Sequence, residues 1–562
     1  MSVKIDYSRD SLLTDFSIKT LQDRYLVGDE KSPQEAFARA AEAFADDDDH
    51  AQRIYDYASN LWFMFATPVL SNGGTARGLP ISCFLNYVED SREGITGHYT
   101  ENAFLSSFGG GIGGSWSDVR SSGTRTSKGS ESTGVIPFVK VVDAEMLAFS
   151  QGVTRRGSYA AYLHITHPEI EEFLDGRKPT GGDTNRRFLN LHHGIVLCDS
   201  FLELIHRATK EPGFDDSWEL IDPHTKEVKK IVSARALWVK ILQNRMETGE
   251  PYIMFEDAVN NDLPSFQQKK GLCVNLEYFD EWKNHASFIP DLVRFLDNVL
   301  QYFIDNAPSQ LEKAKYSAYR ERSIGLGAMG FHAYLQKNNL PFEGPVAASA
   351  NHMIFKHIKD GAMEETLQLA VERGACPDDD SCRVRNAHLL AIAPNASSSI
   401  ICGNTSPSIE PFRANAYTQK TKSGSYLQKN KFLEQLLEKY GKNDDKTWRD
   451  IVTNKGSVQH LEFLSEAEKE VFKTAVEINQ AWVIEHAAER QQFICQSQSL
   501  NLFFPPDVNK GELHNIHMVA WAKNLKTLYY LRSEAISRAD NVSNEVKREI
   551  IFEQQDCLSC EG

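Results

Sequence analysis

The feature that most constrains this chain is an alternation. Between about residue 65 and residue 530, short apolar runs such as GIVLC (194–198) and HLLAIAP (388–394) take turns with longer helical stretches such as FIPDLVRFLDNVLQYFID (288–305). Runs so short fit buried strands, and the helices between them are the crossovers that parallel strands require. The pattern predicts an α/β architecture. With 562 residues, 41% of them hydrophobic, the chain can bury one large core. No apolar stretch is long enough to span a membrane, and MSVKIDYSRD lacks the basic and apolar regions of a secretion signal, so a cytoplasmic, membrane-free protein is expected. The net charge of -16 repels a phosphodiester backbone, which argues against a nucleic-acid partner and requires any phosphate site to be local.

Ser32-Pro33-Gln34-Glu35 is a capping box with proline at the first helical position, and residues 1–65 read as a helical domain. The acidic run Asp46 to Asp49 reads as a solvated helix end, because carboxylates adjacent in sequence do not converge on one ion; no metal site is expected in the chain. A second capping box, Ser465 with Glu468, predicts one long helix through VFKTAVEINQAWVIEHAAERQQF. Residues 66–532 form the expected α/β domain. From 533 to 562 the chain turns polar and charged, reading as a flexible tail.

Four features carry candidate chemistry. Gly109-x-Gly111-x-x-Gly114 matches the dinucleotide fingerprint in form, but ENAFLSSF before it reads as helix, so a glycine loop that lets backbone approach a ligand or a strand is expected instead. In PNASSSIICGNTSPSIEP (394–411), backbone N–H groups and serine hydroxyls could surround an anion, or the segment could be a polar strand-to-helix turn. Tyr529-Tyr530 reads as core packing or as a pair of stacked phenols able to pass an electron and a proton. Nine scattered cysteines exclude a disulfide scaffold, yet Cys557-x-x-Cys560 stands within the last six residues, where nothing needs packing. No second pair completes a zinc site, and two thiols on a tether suit thiol–disulfide exchange. The histidines of HITHPEIEEF and NLHHG read as structural.

Taken in order, ATPVLSNGG, SCFLN, GGGIGGSW, RRGSYAAYLHITHPEIEEFL, RERSIGLGAMGFHAYL, PNASSSIICGNTSPSIEP, TLYY and CLSC resemble the large subunit of class I ribonucleotide reductase over nearly the whole chain. The resemblance implies a ten-stranded α/β barrel that reduces ribonucleoside diphosphates by thiol and radical chemistry. It implies substrate binding by Thr67, Ser82, Gly111 and the turn Pro394, Asn395, Ala396, Ser397 and Ser398, the turn holding the diphosphate. Cys83 resembles one member of the active-site dithiol, which the Cys557/Cys560 tail re-reduces using an external dithiol, thioredoxin or glutaredoxin. Tyr529 and Tyr530 resemble the end of a radical relay from a metal-containing small subunit, so no tightly bound cofactor is expected in this chain. Asp90 and Arg120 lie where the family binds a nucleotide effector, and a homodimer is expected.

Two departures from the family pattern stand out. The chain has no room for the N-terminal ATP cone that many relatives carry, so on/off control by ATP and dATP is expected to be absent. Between Lys269 and Glu277, KKGL runs directly into CVNLEYF where the family has an NLCxE loop bearing the thiyl cysteine. One reading is that the loop is lost and Cys273 is the second dithiol partner; without the thiyl cysteine, turnover would be abolished and a nucleotide- and subunit-binding derivative would remain. The other makes Cys273 the radical cysteine of an active enzyme. A cobalamin-dependent reductase, which would need no tyrosine pair, and a nicotinamide dehydrogenase built on the glycines are the outside alternatives.

Overall fold

The computed structural model describes residues 3–149, 157–179, 183–261, 272–379, 381, 383–421 and 424–533. Its N-terminal helices, Asp15–Arg24, Pro33–Phe44 and Asp48–Ser59, start where the side chains say they should. Ser32 and Glu35 make the reciprocal capping box, and Asp47 accepts from the His50 N–H, so the acidic run is indeed a helix start. These helices bury Ala36, Phe37, Ala40, Ala41 and Ile54 and lie against the Phe288–Asn306 helix, where Arg53 grips Asp291 at 2.8 and 2.9 Å.

The barrel consists of two sets of strands. The first runs in parallel order Cys83–Tyr87, Gly111–Ser115, Ser158–His164, His192–Leu197 and Tyr252–Phe255. The second begins with Leu272–Asn275, parallel to Leu326–Met329, and continues through parallel bridges at Leu390 and at Ile392 with Gln498. Tyr529 N–H donates to the Leu500 carbonyl, and Thr527–Leu528 pairs antiparallel with Tyr252–Phe255, joining one set to the other. This is a ten-stranded α/β barrel preceded by helices. A separate cluster, including Leu433, Leu437, Trp448 and Ile451, packs beneath the outlying segment 416–472.

Two local expectations are corrected. The stretch opened by Ser465 and Glu468 is not one helix: Glu466–Val471 stops, and Gln480–Gln491 begins after eight non-helical residues. There Glu477 accepts from both the backbone and the hydroxyl of Thr474, and Asn479 caps the next helix, so side chains take over the backbone donors that a continuous helix would use. The glycine segment is a strand rather than a loop. A Cβ on Gly113 would sit 2.6 Å from Leu85, and one on Gly114 would sit 1.6 Å from the Tyr159 hydroxyl, so glycine there serves close contact with neighbouring strands.

Candidate active site

Register places the predicted residues of the first strand set at one edge. Cys83, the first residue of its strand, is paired with Gly111, and Gly111 with Ser158. The buried Ser82 just before it accepts from Gly111 N–H at 2.6 Å, and its hydroxyl is 4.0 Å from Cys83 Sγ. Thr67 opens the Thr67–Asn72 helix, buried, with its hydroxyl 3.1 Å from the Tyr25 phenol.

Cys273 lies in the second set. Its strand is flanked by Phe63–Phe65 and Leu326–Met329, which put Met64 and Gly327 beside it, and the Gly327 hydrogen leaves room for the sulfur. The thiol donates to Asn395 Oδ1 at 3.1 Å, while Asn395 Nδ2 donates to the Ala328 carbonyl. Asn395 holds a left-handed backbone, φ 55, at the start of the Ala396–Ile401 helix. Pro394 precedes it, and Ala396, Ser397 and Ser398 form the first helical turn. All are buried, and the Ser398 hydroxyl finds no partner among the described residues. Cys273 and the segment expected to bind an anion are thus in direct contact.

Tyr529 and Tyr530 have ring centroids 4.4 Å apart, and sequence reasoning missed the third ring: Tyr252 lies 4.4 Å from Tyr529 and 5.1 Å from Tyr530. His192 was also missed as part of this group. Its Nδ1 is 3.4 Å from the Tyr530 hydroxyl and 2.5 Å from Glu250, which also contacts His193 and Arg177. Burial alone would raise the Glu250 pKa, but Arg177 and the two histidines outweigh it and hold it well below the ordinary range. Tyr530 N–H donates to Asn501, whose amide reaches Glu410 at 2.6 Å, tying the tyrosines to the segment that follows the anion turn.

Asp90 and Arg120 are brought together, Arg120 Nε lying 3.1 and 2.9 Å from the two carboxylate oxygens, with His224 Nδ1 at 3.5 Å. Cys557 and Cys560 fall outside the described residues. Among those described, no group of three or more His, Cys, Asp or Glu side chains could hold a metal, and no helix is long and apolar enough to cross a membrane.

A helical N-terminal domain followed by a barrel of two parallel strand sets, with Cys83 on one set and Cys273 on the other, defines the class: an α/β-barrel oxidoreductase. The family models for the ribonucleotide reductase all-alpha domain and barrel domain match residues 11–78 and residues 81–276, 271–381 and 380–531. Over its whole length the chain is 42% identical to the whole ribonucleoside-diphosphate reductase large subunit of Invertebrate iridescent virus 3. It is 43% identical to a putative large subunit of Frog virus 3, covering 91% of this chain and 92% of that one. The class Id ribonucleotide reductase alpha subunit of Actinobacillus ureae superposes with a TM-score of 0.81 at 32% identity, covering 96% of this chain and all of that one. The chain belongs to the ribonucleotide reductase family, as a large subunit, and its function is nucleotide reduction.

The barrel-domain match is made in three segments that overlap at 271–276 and at 380–381, and the alignment to the Invertebrate iridescent virus 3 protein spans 637 positions against a chain of 562, leaving 75 positions of that relative without a counterpart.

Proposed function

We propose that this chain reduces ribonucleoside diphosphates to deoxyribonucleoside diphosphates at the site shared by Cys83, Cys273 and the Pro394–Ser398 turn. The observation that carries the reading is the Cys273 to Asn395 hydrogen bond of 3.1 Å, which sets a thiol directly against the residues that would hold the diphosphate. The first-turn N–H groups and the unpartnered Ser398 hydroxyl are the donors for the phosphate oxygens. Thr67, Ser82 and Gly111 line the ribose side. Cys273, made a thiyl radical by the oxidising equivalent, takes the ribose 3′-hydrogen and returns it at the end, while Cys83 and a second thiol give up two electrons and two protons and become a disulfide as the 2′-hydroxyl leaves as water.

Tyr530 and Tyr529 take the oxidising equivalent from a small subunit that houses the metal. Cys557 and Cys560 re-reduce the disulfide and are in turn reduced by thioredoxin or glutaredoxin. Asp90 and Arg120 belong to a nucleotide-effector site, and the enzyme works as a cytoplasmic homodimer. The domain limits follow: helical 1–65, barrel 66–532, redox tail 533–562.

The test is conversion of CDP to dCDP by the purified chain with its small subunit, dithiothreitol and a nucleotide effector. Product that disappears in Cys273→Ser supports the proposal. No product from the unaltered chain, despite measurable effector binding, overturns it.

A further inference from the structure

The antiparallel hairpin of Ser217–Ile221 and Val228–Ser233 forms a sheet of its own, and its second strand is exposed over most of its length. The turn that closes it nevertheless starts with a fully buried carboxylate, Asp222. Burying a carboxylate is unfavourable unless protein donors replace its water, and Asp222 has donors on both oxygens. Oδ1 accepts from the backbone N–H of His224 at 3.0 Å and of Thr225 at 2.8 Å, inside the turn. Oδ2 accepts from the Ser121 N–H at 2.8 Å, the Ser121 hydroxyl at 2.6 Å and the Thr124 hydroxyl at 2.7 Å. Ser121 directly follows Arg120, so one carboxylate fastens the hairpin turn to the segment that carries Arg120.

The root of the hairpin is fixed as well. Ile221 N–H donates to the Thr166 carbonyl at 2.7 Å, and Trp218 Nε1 donates to the Ile165 carbonyl at 3.3 Å. Anchored at both ends, the turn holds the exposed His224 against Asp90, with Nδ1 3.5 Å from Oδ2. Arg120 Nε lies 3.1 and 2.9 Å from the two oxygens of the same carboxylate, so arginine and aspartate neutralise each other. A phosphate that binds Arg120 has to draw it off Asp90, and that strips a partly buried carboxylate of its cation. The His224 imidazole is the group placed to take over at Oδ2, which leaves Oδ1 for a hydroxyl of the ligand.

We propose that His224 is a third binding residue of the nucleotide-effector site and that Asp222 is its positioning residue. The inference rests on the reading of Asp90 and Arg120 as effector-binding and deepens it. The ligand is a nucleoside triphosphate: its phosphates take Arg120, its sugar hydroxyl takes Asp90, and His224 holds the carboxylate that Arg120 has left.

The experiment measures binding of dATP, dTTP and dGTP to the full chain by equilibrium dialysis, with CDP affinity on the same preparations as the check on the barrel. His224→Gln and Asp222→Asn are each expected to weaken the tightest-bound of the three about tenfold, as one lost hydrogen bond to a charged group does, while CDP affinity stays within about twofold. Combined in one chain they are expected to weaken it little beyond either alone, because Asp222→Asn already frees His224; full additivity removes Asp222 as the positioning residue. Should Asp222→Asn also lose CDP affinity, Thr124→Val, which deletes one bond to the carboxylate, takes its place in the same comparison. Unchanged effector affinity in His224→Gln, where Asp90→Asn abolishes it, overturns the proposal and leaves the effector site standing. Effector affinity that survives Asp90→Asn, or is absent from the unaltered chain, overturns the effector reading and this inference with it.

Discussion

Cys273 and Asn395, 122 residues apart in sequence, share a hydrogen bond of 3.1 Å, and Asn395 holds it from a left-handed backbone at φ 55. The side chain is doubly committed, because its amide nitrogen also bonds the Ala328 carbonyl. Asn395→Gly and Asn395→Ala remove both bonds, but only alanine pays the left-handed penalty of about 1–2 kcal/mol. Both variants are expected to lose roughly tenfold or more in kcat/KM for CDP, since the thiol and the phosphate turn lose their common anchor. Melting curves should rank alanine below glycine. Full activity in a folded Asn395→Gly variant would remove Asn395 from the site.

Phenylalanine at 529 or 530 keeps the ring cluster intact and deletes the phenol. Backbone anchoring of the pair, through Leu500 and Asn501, does not involve the hydroxyls. Each substitution should therefore leave CDP affinity and melting temperature close to those of the parent while dCDP formation falls below about 1%, a loss of roughly 2.7 kcal/mol in transition-state stabilisation. Equilibrium binding and turnover, measured on the same preparation, separate the two effects. Turnover that survives in both variants would reassign the tyrosines to packing.

What the sequence made legible was local or carried by a motif. Ser32 with Glu35 and Ser465 with Glu468 fix their own helix starts, and the Phe288–Asn306 helix follows from its apolar spacing. The break after Val471 was hidden because Thr474, Glu477 and Asn479 compete for backbone donors only at hydrogen-bond distance. Asp90 and Arg120 were named by family likeness as effector-binding, which says nothing of a contact between them; the structure sets their charged groups together. Tyr252 and His192 had no comparable signal: each reaches the tyrosine pair only through strand register and the antiparallel seam at Thr527–Leu528. His164, read as structural, reaches Glu256 only because the strands that carry them end side by side.

Glu250 offers a pH-dependent test of the network behind Tyr530. Its folded pKa lies well below the unfolded value of about 4.3, so its stabilisation is present above that value and fades as pH falls toward the folded pKa. Glu250→Gln removes the charge facing Arg177, His192 and His193. Breaking a buried ion pair of this kind costs about 3–5 kcal/mol, enough to lower the melting temperature by several degrees at neutral pH. The gap between variant and parent should narrow as the pH is taken below about 4. A gap that is constant with pH would show that the charge contributes nothing.

Two glycine-to-alanine substitutions should differ in sign. At Gly114 the new methyl carbon would fall 1.6 Å from the Tyr159 hydroxyl, which is held by Trp116 Nε1 at 3.0 Å and His98 Nε2 at 2.8 Å. Tyr159 is almost wholly buried and cannot swing aside, so strand separation or loss of these bonds must follow, at a cost of about 3 kcal/mol or more. At Gly97, inside the Arg92–Ser107 helix, a Cβ meets nothing within 4 Å, and alanine should stabilise by up to about 1 kcal/mol through helix propensity. Thermal melts of the two variants beside the parent measure the contrast. A Gly114→Ala protein as stable as the parent would mean that the Gly111–Ser115 strand does not pack against Tyr159, and the register that brings Gly111 beside Cys83 would fall with it.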